Sequence, residues 1–134
     1  MSFAASLAAP LLVVEDDRDV REVLSDSLRF EGYDVLEAVD GADALEQLRM
    51  GKRPALIFLD LVMPRMDGRR FLAKVREERA LRAIPIVLVT GTPPEDLRNA
   101  VKAILKKPVG IDELFECVRR WAGEGLPTSG RVGT

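Results

Sequence analysis

Four apolar runs each end on polar residues that a phosphoryl group or a Mg²⁺ ion could use. LLVV (Leu11 to Val14) leads into Glu15 and Asp16, and ALIFL (Ala55 to Leu59) into Asp60. IVLV (Ile86 to Val89) leads into Thr90, and AIL (Ala103 to Leu105) into Lys106, Lys107 and Pro108. Mg²⁺ takes hard oxygen ligands and is usually held by one or two carboxylates together with phosphate oxygens. Glu15, Asp16 and Asp60 supply such a set, and three carboxylates in one place repel one another without a cation. Lys107 adds a fixed positive charge and Thr90 a hydroxyl. Phosphoryl transfer needs little more than an in-line nucleophile, a metal and donors for the equatorial oxygens. Taken singly, each residue has a plainer reading: an acid before a helix is a cap, and an Asp at a strand end is a turn residue. Recurrence at the same end of four runs favours function.

The elements that must position these residues alternate between strand-like and helix-like. Buried strands are expected at 11–15, 33–38, 55–59, 86–89 and 102–105. Amphipathic helices are expected at 17–31 (Val20, Val23, Leu24, Ser27 and Leu28 inward), 41–50 (Ala44, Leu45, Leu48) and 68–79 (Phe71, Leu72, Val75). A short one entered through Pro93 and Pro94 should run to Val101, and a last one spans 111–121 (Ile111, Leu114, Phe115, Val118, Trp121). Gly32 should close the first helix. Five strands alternating with five helices imply right-handed crossovers and an α/β fold, a three-layer α/β/α sandwich. The expected sheet is parallel with strand order 2-1-3-4-5, flavodoxin-like, which collects all strand C-terminal ends on one ligand-binding edge. One domain is expected at 10–122, after a short extension at 1–9 and before a disordered tail at 123–134 rich in Gly, Pro, Ser and Thr.

Composition narrows the chemistry. A net charge of −2 gives no electrostatic case for nucleic acid or an anionic membrane. The densest basic group, RMDGRR, reads as covering a helix start. Histidine is absent, which removes His-based triads, His-ligated zinc and a phosphohistidine carrier role. If phosphate is handled, a carboxylate must carry it. The single Cys117 excludes an internal disulfide and reads as a buried structural thiol. No stretch is long enough to span a membrane, and a cytoplasmic location is the default expectation.

LLVVEDD, LIFLDLVMPRMDG, VLVTG and LKKP together resemble the receiver domain of bacterial two-component response regulators (CheY-like), over about Leu11 to Trp121. The resemblance implies that Asp60 is the phosphoacceptor and that Asp16 binds Mg²⁺ directly. Glu15 then acts mostly through metal-bound water, and the backbone carbonyl of Val62 is a further ligand. Thr90 would bond the phosphoryl group, Lys107 would pair with it, Gly91 would leave it open to approach, and Pro108 would follow a cis bond. The implied partners are a histidine kinase or histidine phosphotransfer protein and an unidentified downstream protein. No enzyme activity is implied beyond self-phosphorylation and slow self-dephosphorylation, and the expected state is a stand-alone monomer or weak dimer.

Two departures from the family pattern stand out. Ile104 occupies the position, three before the lysine, where the family often has Tyr or Phe as a switch partner of Thr90. The stretch between Thr90 and Lys107 is also short, so the helix within it should be stunted or irregular. Two other readings compete. A pseudo-receiver would bind partners without phosphorylation. A haloacid-dehalogenase-type phosphatase would need an acid two positions after Asp60, where Val62 stands.

Overall fold

The computed structural model describes residues 9–122. The expected extension up to residue 8 and the expected tail at 123–134 lie outside the described residues. The strands are β1 (Leu11–Val14), β2 (Val35–Ala38), β3 (Leu56–Leu59), β4 (Ile86–Thr90) and β5 (Ala103–Lys106). The helices are α1 (Arg18–Phe30), α2 (Gly41–Arg49), α3 (Gly68–Glu77) and α4 (Ile111–Trp121). All strand pairs are parallel, in the order β2-β1-β3-β4-β5. β1, β3 and β4 are buried throughout, as strands covered on both faces must be.

Alternation along the strands builds two cores. Leu12, Val14, Ile57, Leu59 and Leu88 pack with Ala44, Leu45 and Leu48 of α2 and Phe71, Leu72 and Val75 of α3. Leu11, Val13, Leu56, Phe58, Val87 and Val89 pack with Leu24 and Leu28 of α1 and Leu114, Cys117 and Val118 of α4. The sheet is thus the middle of three layers. α1 and α4 lie on one side, α2 and α3 on the other.

Local chemistry fixes the helix ends. Asp17, Asp40 and Asp67 cap α1, α2 and α3, each carboxylate accepting an N–H three residues on. Gly32 follows α1 with φ +103°, a conformation only glycine adopts freely.

Three expectations are corrected. The described residues hold four helices, not five. Between β4 and β5, residues 91–102 form turns, with Arg98 N–H bonding the Glu95 carbonyl (3.3 Å) and Ala100 N–H that of Leu97 (2.9 Å). These i to i+3 bonds close turns without propagating, and Pro93 and Pro94 bring no N–H to the segment. The anticipated irregularity is therefore complete loss of the helix. In α1, Val23 is exposed and Ser25 is buried. Arg21 and Arg29, one turn on either side of Ser25, both pair with Glu37 of β2, which lays that face on the sheet edge and turns Val23 outward. In α4, Ile111 is exposed while Cys117 is buried. Burial, with Glu113 and Glu116 nearby, pushes the Cys117 thiol up to about 11, so it stays an unreactive core group.

Candidate functional site

The polar residues at the strand ends meet at one edge of the sheet. Glu15 and Asp60 are almost completely buried, while Asp16 is exposed. One oxygen from each of the three carboxylates lies within 4.8 Å of the others, a set that could hold a metal ion. The fit is chemical as well as geometric, because an all-oxygen, anionic, partly open cluster suits a hard divalent cation that keeps waters. Thr90, at the end of β4, is also buried. Lys107 N–H bonds the Thr90 carbonyl at 2.9 Å and ties the ends of β4 and β5 together.

Lys107 Nζ donates to Glu15 Oε1 at 2.6 Å and lies 3.6 Å from Asp60 Oδ2. The ammonium is therefore shared between two carboxylates, with Glu15 the closer. Burial works against its charge, but Glu15 and Asp60 together hold its pKa above the ordinary lysine value. For Glu15 burial wins. Removal from water raises its carboxyl from 4.5 to about 7, against the opposing pull of Lys107 and the Asp17 N–H and with a further push from Asp60.

Asp60, Val62, Thr90 and Lys107 line one open cleft of about 590 Å³. The Val62 side chain is exposed on its rim. A Cβ built on Gly91 would meet nothing within 4 Å, so packing does not demand glycine there. The Lys107–Pro108 peptide bond is cis. Ile104 is half-buried and packs with Leu97 and Val101 against the α2–α3 core.

The loop between β3 and α3 is held from both ends. Gly68 N–H bonds the Leu61 carbonyl at 2.8 Å. A Cβ on Gly68 would fall 2.6 Å from the Asp60 carbonyl oxygen, so only glycine lets α3 start this close to the acidic site. Arg65, at φ +59°, places its guanidinium on Asp40 with contacts of 2.5 and 3.0 Å, and Gly41 N–H bonds the Met66 carbonyl. The Arg65 hydrogen bonds hold the buried Asp40 carboxyl below its ordinary value.

Sequence reasoning misses this support. RMDGRR does cover the start of α3, as expected, but Arg65 also reaches back to Asp40 at the start of α2 and Arg69 across to Asp96 at 2.6 Å. The available signal is Arg69 in the first turn of a helix, where a cation opposes the helix dipole.

The family model of the response regulator receiver domain matches residues 11–119. The chain belongs to this family. Response regulator MprA of Mycobacterium sp. (strain KMS) is 36% identical over 125 residues, covering 90% of this receiver domain chain and 53% of the relative. The chain thus spans about half the length of the curated relatives named MprA that it matches. The signal receiver domain of a signal transduction histidine kinase from Syntrophus aciditrophicus superposes with a TM-score of 0.76 at 28% identity, covering 95% of each chain. Response regulator TrrA from Thermotoga maritima, in complex with Mg²⁺-BeF, gives a TM-score of 0.72 at 29% identity, covering 84% of this chain and 98% of that one. Receiver domains thus occur in both regulators and kinases among its relatives. No helix of the described residues is long and apolar enough to cross a membrane.

Proposed function

We propose that this receiver domain takes a phosphoryl group onto Asp60 from a phosphohistidine of a histidine kinase or phosphotransfer protein, and signals through altered binding to a downstream protein in the cytoplasm. The observation that carries this reading is the meeting of Glu15, Asp16 and Asp60 oxygens within 4.8 Å, with Lys107 3.6 Å from Asp60. Asp60 is the nucleophile because it ends the central strand β3, faces the open cleft and has the lysine beside it. An Asp60 carboxylate oxygen forms the new P–O bond while the donor's P–N bond breaks and leaves its electron pair on the imidazole nitrogen.

Glu15, Asp16, Asp60 and the Val62 backbone carbonyl would hold Mg²⁺, which when bound neutralises charge on the phosphoryl oxygens. The Mg²⁺-BeF complex of the Thermotoga maritima relative supports the choice of cation. The Thr90 hydroxyl and the Lys107 ammonium donate to the transferred group. Val62 has no polar atom in its side chain to orient a hydrolytic water, so the acyl phosphate is lost slowly. Ile104 packs against the core with Leu97 and Val101, so read-out runs through the loop after Thr90 and not through a swinging aromatic ring.

Acetyl phosphate labelling followed by intact mass tests this reading. One phosphoryl adduct is expected with Mg²⁺ and none with excess EDTA. No adduct in either condition would make the chain a pseudo-receiver, and rapid multiple turnover of the donor would make it a phosphatase.

A further inference from the structure

Arg69 occupies a position that its own helix disfavours. It stands in the first turn of α3, which holds no acidic residue, and a cation there faces the positive end of the helix dipole. The carboxylates of Asp96 and of the cap residue Asp67 offset this. The Arg69 guanidinium grips Asp96 of the 91–102 crossover with both arms, at 2.6 Å (Nη1 to Oδ2) and 3.1 Å (Nη2 to Oδ1). The same side chain lines the cleft that contains Asp60, Thr90 and Lys107. Because Gly68 sits directly on the Asp60 carbonyl, the Arg69 backbone begins beside the end of β3.

The Arg69–Asp96 pair is half to two-thirds exposed, so it is a weak hold. A phosphoryl group carries up to two negative charges and three acceptor oxygens, and it suits the planar guanidinium fork as well as a carboxylate does. Leu97 packs on the α2–α3 core just after Asp96, so the pair holds the stretch that leads from Thr90 up to that residue. Pro93 and Pro94 donate no backbone hydrogen bonds. The crossover's other hydrogen bonds to neighbouring elements lie at the far end, where Arg76 Nη2 bonds the Ala100 carbonyl at 3.2 Å and Lys102 N–H that of Ile86 at 2.9 Å.

We infer that Arg69 is an exchangeable clamp, bonded to Asp96 while Asp60 is free and turned onto the phosphoryl group once Asp60 carries one, so that phosphorylation releases the 91–96 part of the crossover. This rests on the reading of Asp60 as phosphoacceptor. It adds a phosphate-binding residue to Thr90 and Lys107, and it gives the loop after Thr90 a tether for the phosphate to cut. Linkage then requires reciprocity: whatever the phosphoryl group takes from the Asp96 contact, loss of Asp96 must return to phosphoryl binding.

The test is a titration with beryllofluoride, a phosphoryl mimic, in Mg²⁺, monitored by NMR on the wild type, Arg69→Ala and Asp96→Asn. Arg69→Ala is expected to weaken beryllofluoride binding about tenfold, the scale of losing charge-assisted hydrogen bonds. Asp96→Asn is expected to tighten it, and to move the amide signals of residues 91–96 toward their bound positions before any beryllofluoride is added. In the wild type the Arg69 Nε–H signal should shift on saturation, a readout that needs no variant to fold. Unchanged affinity in Arg69→Ala, or an Arg69 Nε–H signal that stays in place, overturns the clamp and leaves the Asp60 reading standing. A wild type that binds no beryllofluoride in Mg²⁺ overturns both.

Discussion

Replacing Glu15 by Gln should remove a pH dependence of stability that the metal-free domain carries on one residue. In the folded protein the Glu15 carboxyl sits at about 7 instead of 4.5, chiefly because it is buried. Between those two values the folded state keeps a proton that the unfolded chain has lost. The Glu15 contribution to stability is therefore fully present below pH 4.5, falls as pH rises to about 7 and is gone above it. At about 1.4 kcal/mol per pKa unit, the fall is on the order of 2–3 kcal/mol between pH 5 and 8. The window is unusually clean because the chain has no histidine. Asp40, whose carboxyl is held low by Arg65, loses its contribution only at more acid pH. Urea unfolding in EDTA, monitored through the single Trp121, measures the effect at pH 5, 6, 7 and 8. The wild type should lose stability across the series and Glu15→Gln should be nearly flat. Excess Mg²⁺ should shrink the wild-type slope, because a cation offsets the buried charge. A wild type that is flat, or that gains stability with pH in EDTA, would refute the burial argument for Glu15.

The site makes three further outcomes testable. Gly68→Ala should cost about 2 kcal/mol or more in urea unfolding, and should also reduce acetyl phosphate labelling, since the new Cβ would fall 2.6 Å from the Asp60 carbonyl and 2.7 Å from Leu61 Cα; a variant as stable and as readily labelled as wild type contradicts the packing. Arg65→Ala should lower the urea midpoint, because Asp40 stays buried without its cation, though the exposure of the arginine limits the loss; a change within error would mean the β3–α3 loop is held by its backbone alone. Val62→Asn should shorten the lifetime of the phosphorylated domain as read by intact mass, and an unaltered decay would remove Val62 from the account of hydrolysis.

The sheet order and the convergence of Glu15, Asp16, Asp60, Thr90 and Lys107 are legible because they depend only on apolar runs and on the polar residues that end them. Parallel topology then puts those residues on one edge whatever the helices do. The buried stripes of α2 and α3 are equally plain, since Ala44, Leu45, Leu48, Phe71, Leu72 and Val75 keep to a single helical period. Val23 and Ile111 are misplaced by the sequence pattern because periodicity defines an apolar face but not its edge. In α1 the choice is made by Arg21 and Arg29 reaching Glu37, a contact across elements. The crossover after β4 looks helical through its Pro-Pro-Glu start, but two prolines and too few residues leave only turns. Arg65–Asp40 and Arg69–Asp96 join residues 25 and 27 positions apart, and no local pattern announces a pair at that distance.

The central claim is that Asp60 carries the phosphoryl group. The most direct measurement is to label the protein with acetyl phosphate and Mg²⁺, reduce the acyl phosphate with borohydride, and locate the altered residue by peptide mass spectrometry. Reduction converts an aspartyl phosphate to homoserine, which marks the site permanently. Conversion at Asp60 alone, absent in Asp60→Asn protein whose circular dichroism matches wild type, is the predicted result. Conversion at Asp16 or another carboxylate, or labelling that persists in folded Asp60→Asn, would contradict it.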